Sequence, residues 1–139
     1  MKTFLYYVGK PKDAASNAVA DDFLARANRF SPCTMAEINP TRVDPFEKHP
    51  TARRIALDPA GQPMDSAAFA RLFEEAERYG RDMVFVVGGH DGLLPAWRQK
   101  ADQLLSLSKM TFPHELARAM LAEQIYRAFA TLRGHPYPR

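Results

Sequence analysis

The segment RDMVFVVGGHDGL, residues 81–93, decides the fold of this chain. Its residues 83–87 are all apolar and are rich in β-branched and aromatic side chains, which predicts a central strand buried on both faces. Strands of this kind occur in parallel sheets, where helices cover both faces. The glycines that follow the strand predict a close turn of the backbone at its carboxyl end.

Predicted strands and helices alternate on both sides of this segment. Short apolar runs predict the other strands, at residues 3–8, 35–38, 54–58 and 105–108. Apolar residues at helical spacing predict helices at residues 13–30 and 95–104, a helix that Asp65 caps and Gly80 ends, and a final helix from Pro113 to Gly134.

Two proline-rich stretches are predicted to be irregular. The motif PAGQP at residues 59–63 is expected to stop the third strand, and residues 40–54, which contain three prolines, are expected to form a loop. The alternation of strands and helices predicts one α/β domain over residues 1–139, with a mainly parallel sheet.

Length and composition fit one soluble domain. The 139 residues carry a formal net charge of +3 and a sequence pI near 9.2. This charge mildly favours an anionic partner such as RNA, although a solvated surface of mixed charge has the same composition. Cys33 is the only cysteine, which excludes an intrachain disulfide and favours a reducing cytosol. No segment predicts a signal peptide or a membrane span, so we expect a cytoplasmic protein.

Three loops are expected to follow the carboxyl ends of strands, where open parallel sheets bind ligands. They are LDPAG at residues 57–61, GGHDGL at 88–93 and SKMTFPH at 108–114. The glycines of the second loop fit neither the GxGxxG nor the P-loop spacing, which argues against a dinucleotide or a nucleoside triphosphate. That loop can also be a simple tight turn. Neither His90 nor His114 has a partner at metal-ligand spacing, so no metal site is predicted.

Small hydroxyl side chains cluster ahead of the final helix. Ser106, Ser108 and Thr111, together with Lys109, bring hydroxyls and free backbone N–H groups to a helix N-terminus. Such a place can bind an adenosine, a carboxylate or a phosphate. The same hydroxyls can instead satisfy backbone groups at the strand-to-helix junction.

The carboxylates predict no acid–base pair. Asp58, Asp91 and Glu123 are candidates for such chemistry. Glu123 lies four residues before Arg127, however, and this spacing predicts a surface ion pair that contributes a few tenths of a kcal/mol.

The carboxyl-terminal part of the chain is basic. It holds four arginines with an imidazole and a phenol between them: Arg118, Arg127, Arg133, His135, Tyr137 and Arg139. Because basic groups neutralise phosphates and aromatic rings stack on unpaired bases, this part suits RNA. A solvated helix face with an idle tail is the alternative.

Three motifs together resemble a known family. The stretches FVVGGHDGL, LSLSKMTFPHELAR and AEQIYRAFATLRGHPYPR closely resemble the ribosomal RNA large subunit methyltransferase H family, which are small pseudouridine N3-methyltransferases of the SPOUT superfamily. The resemblance runs from about residue 54 to the end of the chain. The stretches MKTFLYYVGKPKD and RIALDPAGQPMDS fit the same family more loosely.

This resemblance implies a fold and a reaction. The fold is a SPOUT α/β knot, a mainly parallel sheet of five to six strands flanked by helices, with a deep trefoil knot near the carboxyl end that ordinary topology rules would not predict. The implied protein is an obligate homodimer with an active site shared between protomers. The implied cofactor is S-adenosyl-L-methionine, and the implied substrate is a pseudouridine of 23S rRNA in the assembled ribosome.

The resemblance also implies the site residues. The cofactor positions fall on Leu57, Gly88, Leu107, Ser108, Lys109, Met110, Thr111 and Phe112. Because the cofactor supplies the reactivity, such a site does not require a catalytic acid–base pair. The catalytic positions are implied to be Tyr137 and Arg139 of the tail, with Arg127 helping to hold the RNA.

Two departures from the family pattern leave alternatives open. Family members commonly end in Tyr-His plus a basic residue, whereas this chain ends in Tyr137, Pro138 and Arg139. The chain is also short between residues 39 and 53, where relatives usually carry more helix. The alternatives are a ribosome- or RNA-binding module that has lost activity, and a small-molecule methyltransferase of the same fold.

Overall fold

A parallel five-stranded sheet forms the centre of the fold. This computed structural model describes residues 1–138 and has the strand order β2-β1-β4-β3-β5, with every strand pair parallel. The strands are β1 (Thr3–Val8), β2 (Cys33–Ile38), β3 (Arg53–Pro63), β4 (Met83–Val87) and β5 (Gln103–Ser106). All five residues of β4 are buried in the middle of the sheet, as its apolar sequence predicts. The predicted α/β fold class is confirmed.

Helices cover the two faces of the sheet unequally. The helices are α1 (Ala14–Asn28), α2 (Pro45–Lys48), α3 (Ser66–Arg78), α4 (Pro95–Lys100) and α5 (His114–Leu132). The three long helices form one core with the first face, and α5 packs against both α1 and α3. The opposite face is covered by the short helices, which bury Phe46 of α2 and Trp97 of α4. None of the helices described for residues 1–138 combines the length and apolar character of a membrane span.

Helix ends follow the predicted signals, with one exception. The Asp65 carboxylate accepts a hydrogen bond from the backbone N–H of Ala68 at 2.7 Å, which confirms the predicted cap of α3. Gly80 and Gly134 follow α3 and α5 with φ of 64° and 68°, a conformation that glycine adopts without strain. Pro113 is the N-cap of α5, whereas the sequence predicts it to be the first helical residue.

The predicted loop at residues 40–54 contains a helix. The Asp44 carboxylate caps α2 by accepting hydrogen bonds from the N–H groups of Phe46 at 2.9 Å and Glu47 at 3.2 Å. Pro45 occupies the first turn, where its missing N–H costs nothing. The prediction of a loop is therefore wrong at residues 45–48, because proline in the first turn favours the start of a helix.

Strand β3 does not stop at PAGQP. The chain pairs with β5 up to Leu57, bulges out over residues 58–61, and pairs again, so that both Leu57 and Gln62 have Leu105 as their partner. The close crossing requires glycine, since a Cβ on Gly61 would lie 2.6 Å from the carbonyl carbon and oxygen of Leu104. This second pairing joins residues far apart in the sequence. Strand β5 begins two residues earlier than the sequence predicts. The predicted α4 is correspondingly four residues too long.

The trefoil knot that the resemblance implies stays a prediction.

The one cysteine provides a test of the edge strand β2. The Cys33 side chain is 7% exposed, and burial raises its pKa to about 11. Because the thiolate is the reactive form, we expect the native protein to react with an aromatic disulfide reagent more than about tenfold more slowly than the protein unfolded in guanidinium chloride. Equal rates would show that β2 opens readily from the sheet.

Candidate functional site

A cavity of about 380 Å³ lies at the carboxyl edge of the sheet, beside the ends of β3, β4 and β5. Its walls are formed by the three loops that the sequence singles out and by the first turn of α5, with His114 and Ala117. The volume falls in the range of small-molecule sites, and this edge is where open parallel sheets bind ligands.

The structure brings most of the predicted cofactor residues together. The cavity is lined by Leu57, Gly88, Leu107, Ser108, Met110, Thr111 and Phe112. Lys109 belongs to the same segment, but it is not among the lining residues and its side chain is exposed. Met110 is 73% exposed, so its side chain presents a large apolar surface to solvent next to the cavity.

The GGHDG loop is a tight turn that also forms a wall of the cavity. The N–H of Gly92 donates to the carbonyl of Gly89 at 3.0 Å, and Gly92 has φ of 82°. A Cβ on Gly88 would lie 2.5 Å from the carbonyl carbon and oxygen of Gly92. Only glycine at position 88 allows the turn to fold this closely against itself.

The serine hydroxyls organise the segment that leads into α5. The Ser106 hydroxyl donates to the carbonyl of Ser108 at 2.9 Å, and the Ser108 hydroxyl accepts from the N–H of Met110 at 3.0 Å. These bonds satisfy backbone groups, as one of the two interpretations of these side chains predicts. Ser108 and Thr111 also line the cavity, so the local structure holds them at its wall.

Asp58, which the sequence offers as a candidate carboxylate but not as a cofactor residue, lies in the cavity wall. It is 4% exposed, its carboxylate accepts a hydrogen bond from the N–H of Ala60 at 2.8 Å, and it forms an ion pair with Arg98 of α4. Its position in the LDPAG loop was the available signal, but its ion pair with Arg98 joins residues far apart in the sequence. The cavity therefore combines a buried carboxylate with the apolar side chains of Leu57 and Phe112.

The residues present fit S-adenosyl-L-methionine. Apolar walls suit an adenine ring, and a paired carboxylate is compatible with a ligand that carries positive charge. No group of three or more His, Cys, Asp or Glu within residues 1–138 is placed to hold a metal ion.

A second cluster joins the carboxyl-terminal half of α5 to the segment that follows this helix, which we call the tail. The Glu123 carboxylate accepts hydrogen bonds from the guanidinium of Arg127 and the hydroxyl of Tyr137, each at 2.7 Å, which confirms the predicted ion pair. The Tyr137 ring packs against Tyr126 with centroids 4.6 Å apart. Burial, followed by the bond to Glu123, raises the pKa of the Tyr137 phenol, and Glu123 raises the pKa of Arg127. At neutral pH the phenol is therefore protonated and the guanidinium charged.

Within one chain this cluster lies away from the cavity. Ala117 lines the cavity, and Arg127 lies ten residues further along α5, which is about 15 Å at 1.5 Å per residue. Neither Arg127 nor Tyr137 lines the cavity. The predicted catalytic residues and the predicted cofactor residues are thus not brought together in a single chain. Arg139 lies outside the described residues.

The chain matches known proteins over its whole length. Residues 1–138 match the family described as "Predicted SPOUT methyltransferase". A protein of Solibacter usitatus (strain Ellin6076) named ribosomal RNA large subunit methyltransferase H is 69% identical over 139 residues, covering 100% of both chains. The chain belongs to the ribosomal RNA large subunit methyltransferase H family. A protein with the same name from Gemmatimonas aurantiaca is 37% identical over 152 aligned positions, covering 99% of each chain.

A solved structure has a fold similar to that of this chain. A probable methylase family protein from Haemophilus influenzae Rd KW20 superimposes with a TM-score of 0.62, covering 99% of this chain and 70% of the other. At 10% sequence identity this likeness concerns the fold alone.

Gly88→Ala tests whether the close turn shapes the cofactor cavity. The clash with Gly92 should destabilise the protein by about 1–3 kcal/mol. It should also raise the Kd for S-adenosyl-L-methionine about tenfold or more, which corresponds to ~1.4 kcal/mol. Thermal unfolding and calorimetric titration measure the two effects. Gly80→Ala is the control, because Gly80 has φ of 64° and does not line the cavity, so alanine there strains the backbone away from the site; an equal loss of affinity in both variants would contradict the assignment.

Proposed function

We propose that this protein is an S-adenosyl-L-methionine-dependent methyltransferase that modifies N3 of a pseudouridine in 23S rRNA of the assembled ribosome. The observation that carries the proposal is a cavity lined by the residues predicted for the cofactor, in a chain 69% identical to a protein named as a large subunit rRNA methyltransferase. A ribosomal substrate places the protein in the cytoplasm.

The cavity residues have distinct parts in this proposal. Leu57, Leu107 and Phe112 would pack against the adenine ring, and the close turn at Gly88 would let the backbone approach the ligand. The cofactor, when bound, supplies an activated methyl group. The protein must then orient the base nitrogen and favour the loss of its proton.

A homodimer would complete the site. Met110 at the cavity and Leu116 near the start of α5 are 73% and 42% exposed. We propose that this side of the molecule, where both apolar side chains lie close to the cavity, contacts the partner protomer. In the proposed dimer the tail of one protomer lies at the cavity of its partner, and this arrangement would overcome the separation along α5.

The tail would act on the RNA through charge and hydrogen bonding. Arg127 keeps its charge and can contact a phosphate or an electron-rich base atom, while Glu123 fixes its orientation. Tyr137 is protonated at neutral pH, so it serves as a hydrogen-bond donor or a stacking ring and not as a general base. Family members commonly have a histidine after the tyrosine of the tail, whereas this chain has Pro138. The proposed reaction therefore does not depend on a histidine at this position.

Methyl transfer to ribosomes tests the proposal. With radiolabelled S-adenosyl-L-methionine, we expect label in 23S rRNA from intact ribosomes, and none from isolated large subunits or from ribosomes that lack the pseudouridine. Absence of label despite measurable cofactor binding would favour the second candidate, an RNA-binding module without activity. Pro138 in the tail, which departs from the family pattern, is the observation that favours this candidate. Cofactor binding with label only in small molecules would favour the small-molecule enzyme.

Mixed dimers test the shared site. Ala117→Trp fills the cavity, and Arg127→Ala removes the guanidinium that lies beside the tail. A dimer of either variant with itself should therefore be inactive. Co-expressed with different affinity tags, the two chains should form dimers with one of two sites intact and about half of the wild-type activity. If each site were built from one chain, these mixed dimers would stay inactive. Dimers of each variant with itself are the control.

A further inference from the structure

A second concave surface lies between the end of α1 and the tail. It has a volume of about 690 Å³ and is formed by Arg26, Arg29, Phe30, Tyr126 and His135, with Asp22 at its edge. We call it the α1–tail groove. It shares no lining residue with the cavity at the carboxyl edge of the sheet, and the proposed reaction does not account for it. His135 belongs to the carboxyl-terminal part whose sequence suits RNA, whereas the two arginines and Phe30 come from the end of α1 and the residues that follow it.

The groove is positively charged. Its ionised side chains are two arginines and one aspartate, and Asp22 pairs with Arg26 at 3.1 Å. This pair is largely exposed, so it is weak and can be exchanged for another anion. Within residues 1–138, the Arg29 side chain has no ion pair or hydrogen bond. Arg29 is exposed and presents an uncompensated guanidinium to solvent.

Aromatic rings line the same surface. Phe30 stacks on Tyr126 with centroids 6.0 Å apart and meets His135 edge to face at 5.8 Å. The Nδ1 atom of His135 accepts a hydrogen bond from the N–H of Tyr137 at 3.1 Å, which fixes the orientation of the imidazole ring. Arg26 lies over the Tyr126 ring at 5.9 Å. Flat rings beside guanidinium groups are the side chains on which unpaired bases stack.

We infer that the α1–tail groove binds a single-stranded segment of the RNA substrate. A phosphate contacts Arg29 and Arg26, and a base stacks on His135 and Phe30. A duplex is excluded by the stacking contact, because bases in an A-form helix do not expose their faces. This inference rests on the proposed function, which supplies RNA as the partner.

The position of the groove links it to the tail. His135 and Tyr137 are separated by one residue, and both pack against Tyr126. RNA bound in the groove therefore lies next to the Tyr137 cluster, where the proposed function places the reacting nucleotide. The groove holds nucleotides that flank the target, while the cluster holds the target itself.

Arg29→Ala and His135→Ala separate the two kinds of contact. The probe is a short fluorescein-labelled single-stranded RNA, and its Kd is measured by fluorescence anisotropy over a series of salt concentrations. Arg29→Ala should weaken binding several-fold and lower the slope of log K against log salt by about 0.7, the loss of one phosphate contact. His135→Ala should weaken binding without changing the slope, since stacking releases no counterions. A duplex RNA of equal length should bind more weakly than the single strand.

Arg71→Ala is the matched control. Arg71 is an exposed arginine on α3, away from the groove, and its removal makes the same change in net charge. Equal losses for Arg29→Ala and Arg71→Ala would overturn the inference, as would unchanged binding in Arg29→Ala and Arg29→Glu, or a wild-type protein that does not bind the probe. Circular dichroism checks that each variant is folded.

Methyl-transfer kinetics distinguish failure of the groove from failure of the proposed function. If the wild type methylates ribosomes, Arg29→Ala should raise the KM for ribosomes and leave the KM for S-adenosyl-L-methionine unchanged. An unchanged ribosome KM would overturn the groove alone. Loss of probe binding in Arg29→Ala, in a protein that methylates no RNA, would support the groove and overturn the proposed reaction.

Discussion

The candidate functional site depends on the double pairing between β3 and β5. Leu105 has two partners on β3, Leu57 before the bulge at residues 58–61 and Gln62 after it. Because backbone hydrogen bonds hold the chain on both sides of the bulge, the bulge keeps a fixed position and does not behave as a free loop. The buried carboxylate within it binds Arg98, which ties α4 to the same place. One wall of the cavity is therefore held on both sides by the backbone pairing of the sheet.

Local signals predicted most of the fold, and long-range pairing explains what they missed. The apolar run at residues 83–87 and the Asp65 cap specify their elements from adjacent residues alone. The start of α2 was also readable, because Asp44 followed by Pro45 is a helix-start signal that the proline count obscured. The continuation of β3 was not readable, because PAGQP extends a strand only when β5 is present to pair with it.

The candidate site was predictable from long motifs more than from residue chemistry. Local patterns gave the hydroxyls near Ser108 two explanations, and the structure shows that Ser108 both satisfies the backbone and lines the cavity. Asp58 forms an ion pair with a helix that is distant in the sequence, and no local pattern reveals this contact. The long helix α5 holds Ala117 and Arg127 at a fixed separation, so no local rearrangement within one chain can join them.

The unequal covering of the sheet has a consequence for the order of folding. Helices α2 and α4 have four and six residues, lengths at which an isolated helix is unstable in water. They can form only after the sheet offers an apolar face on which Phe46 and Trp97 are buried. The sheet and the three long helices should assemble first. The ion pair from α4 then closes the cavity wall, so we expect the cavity to be the last part of the molecule to form.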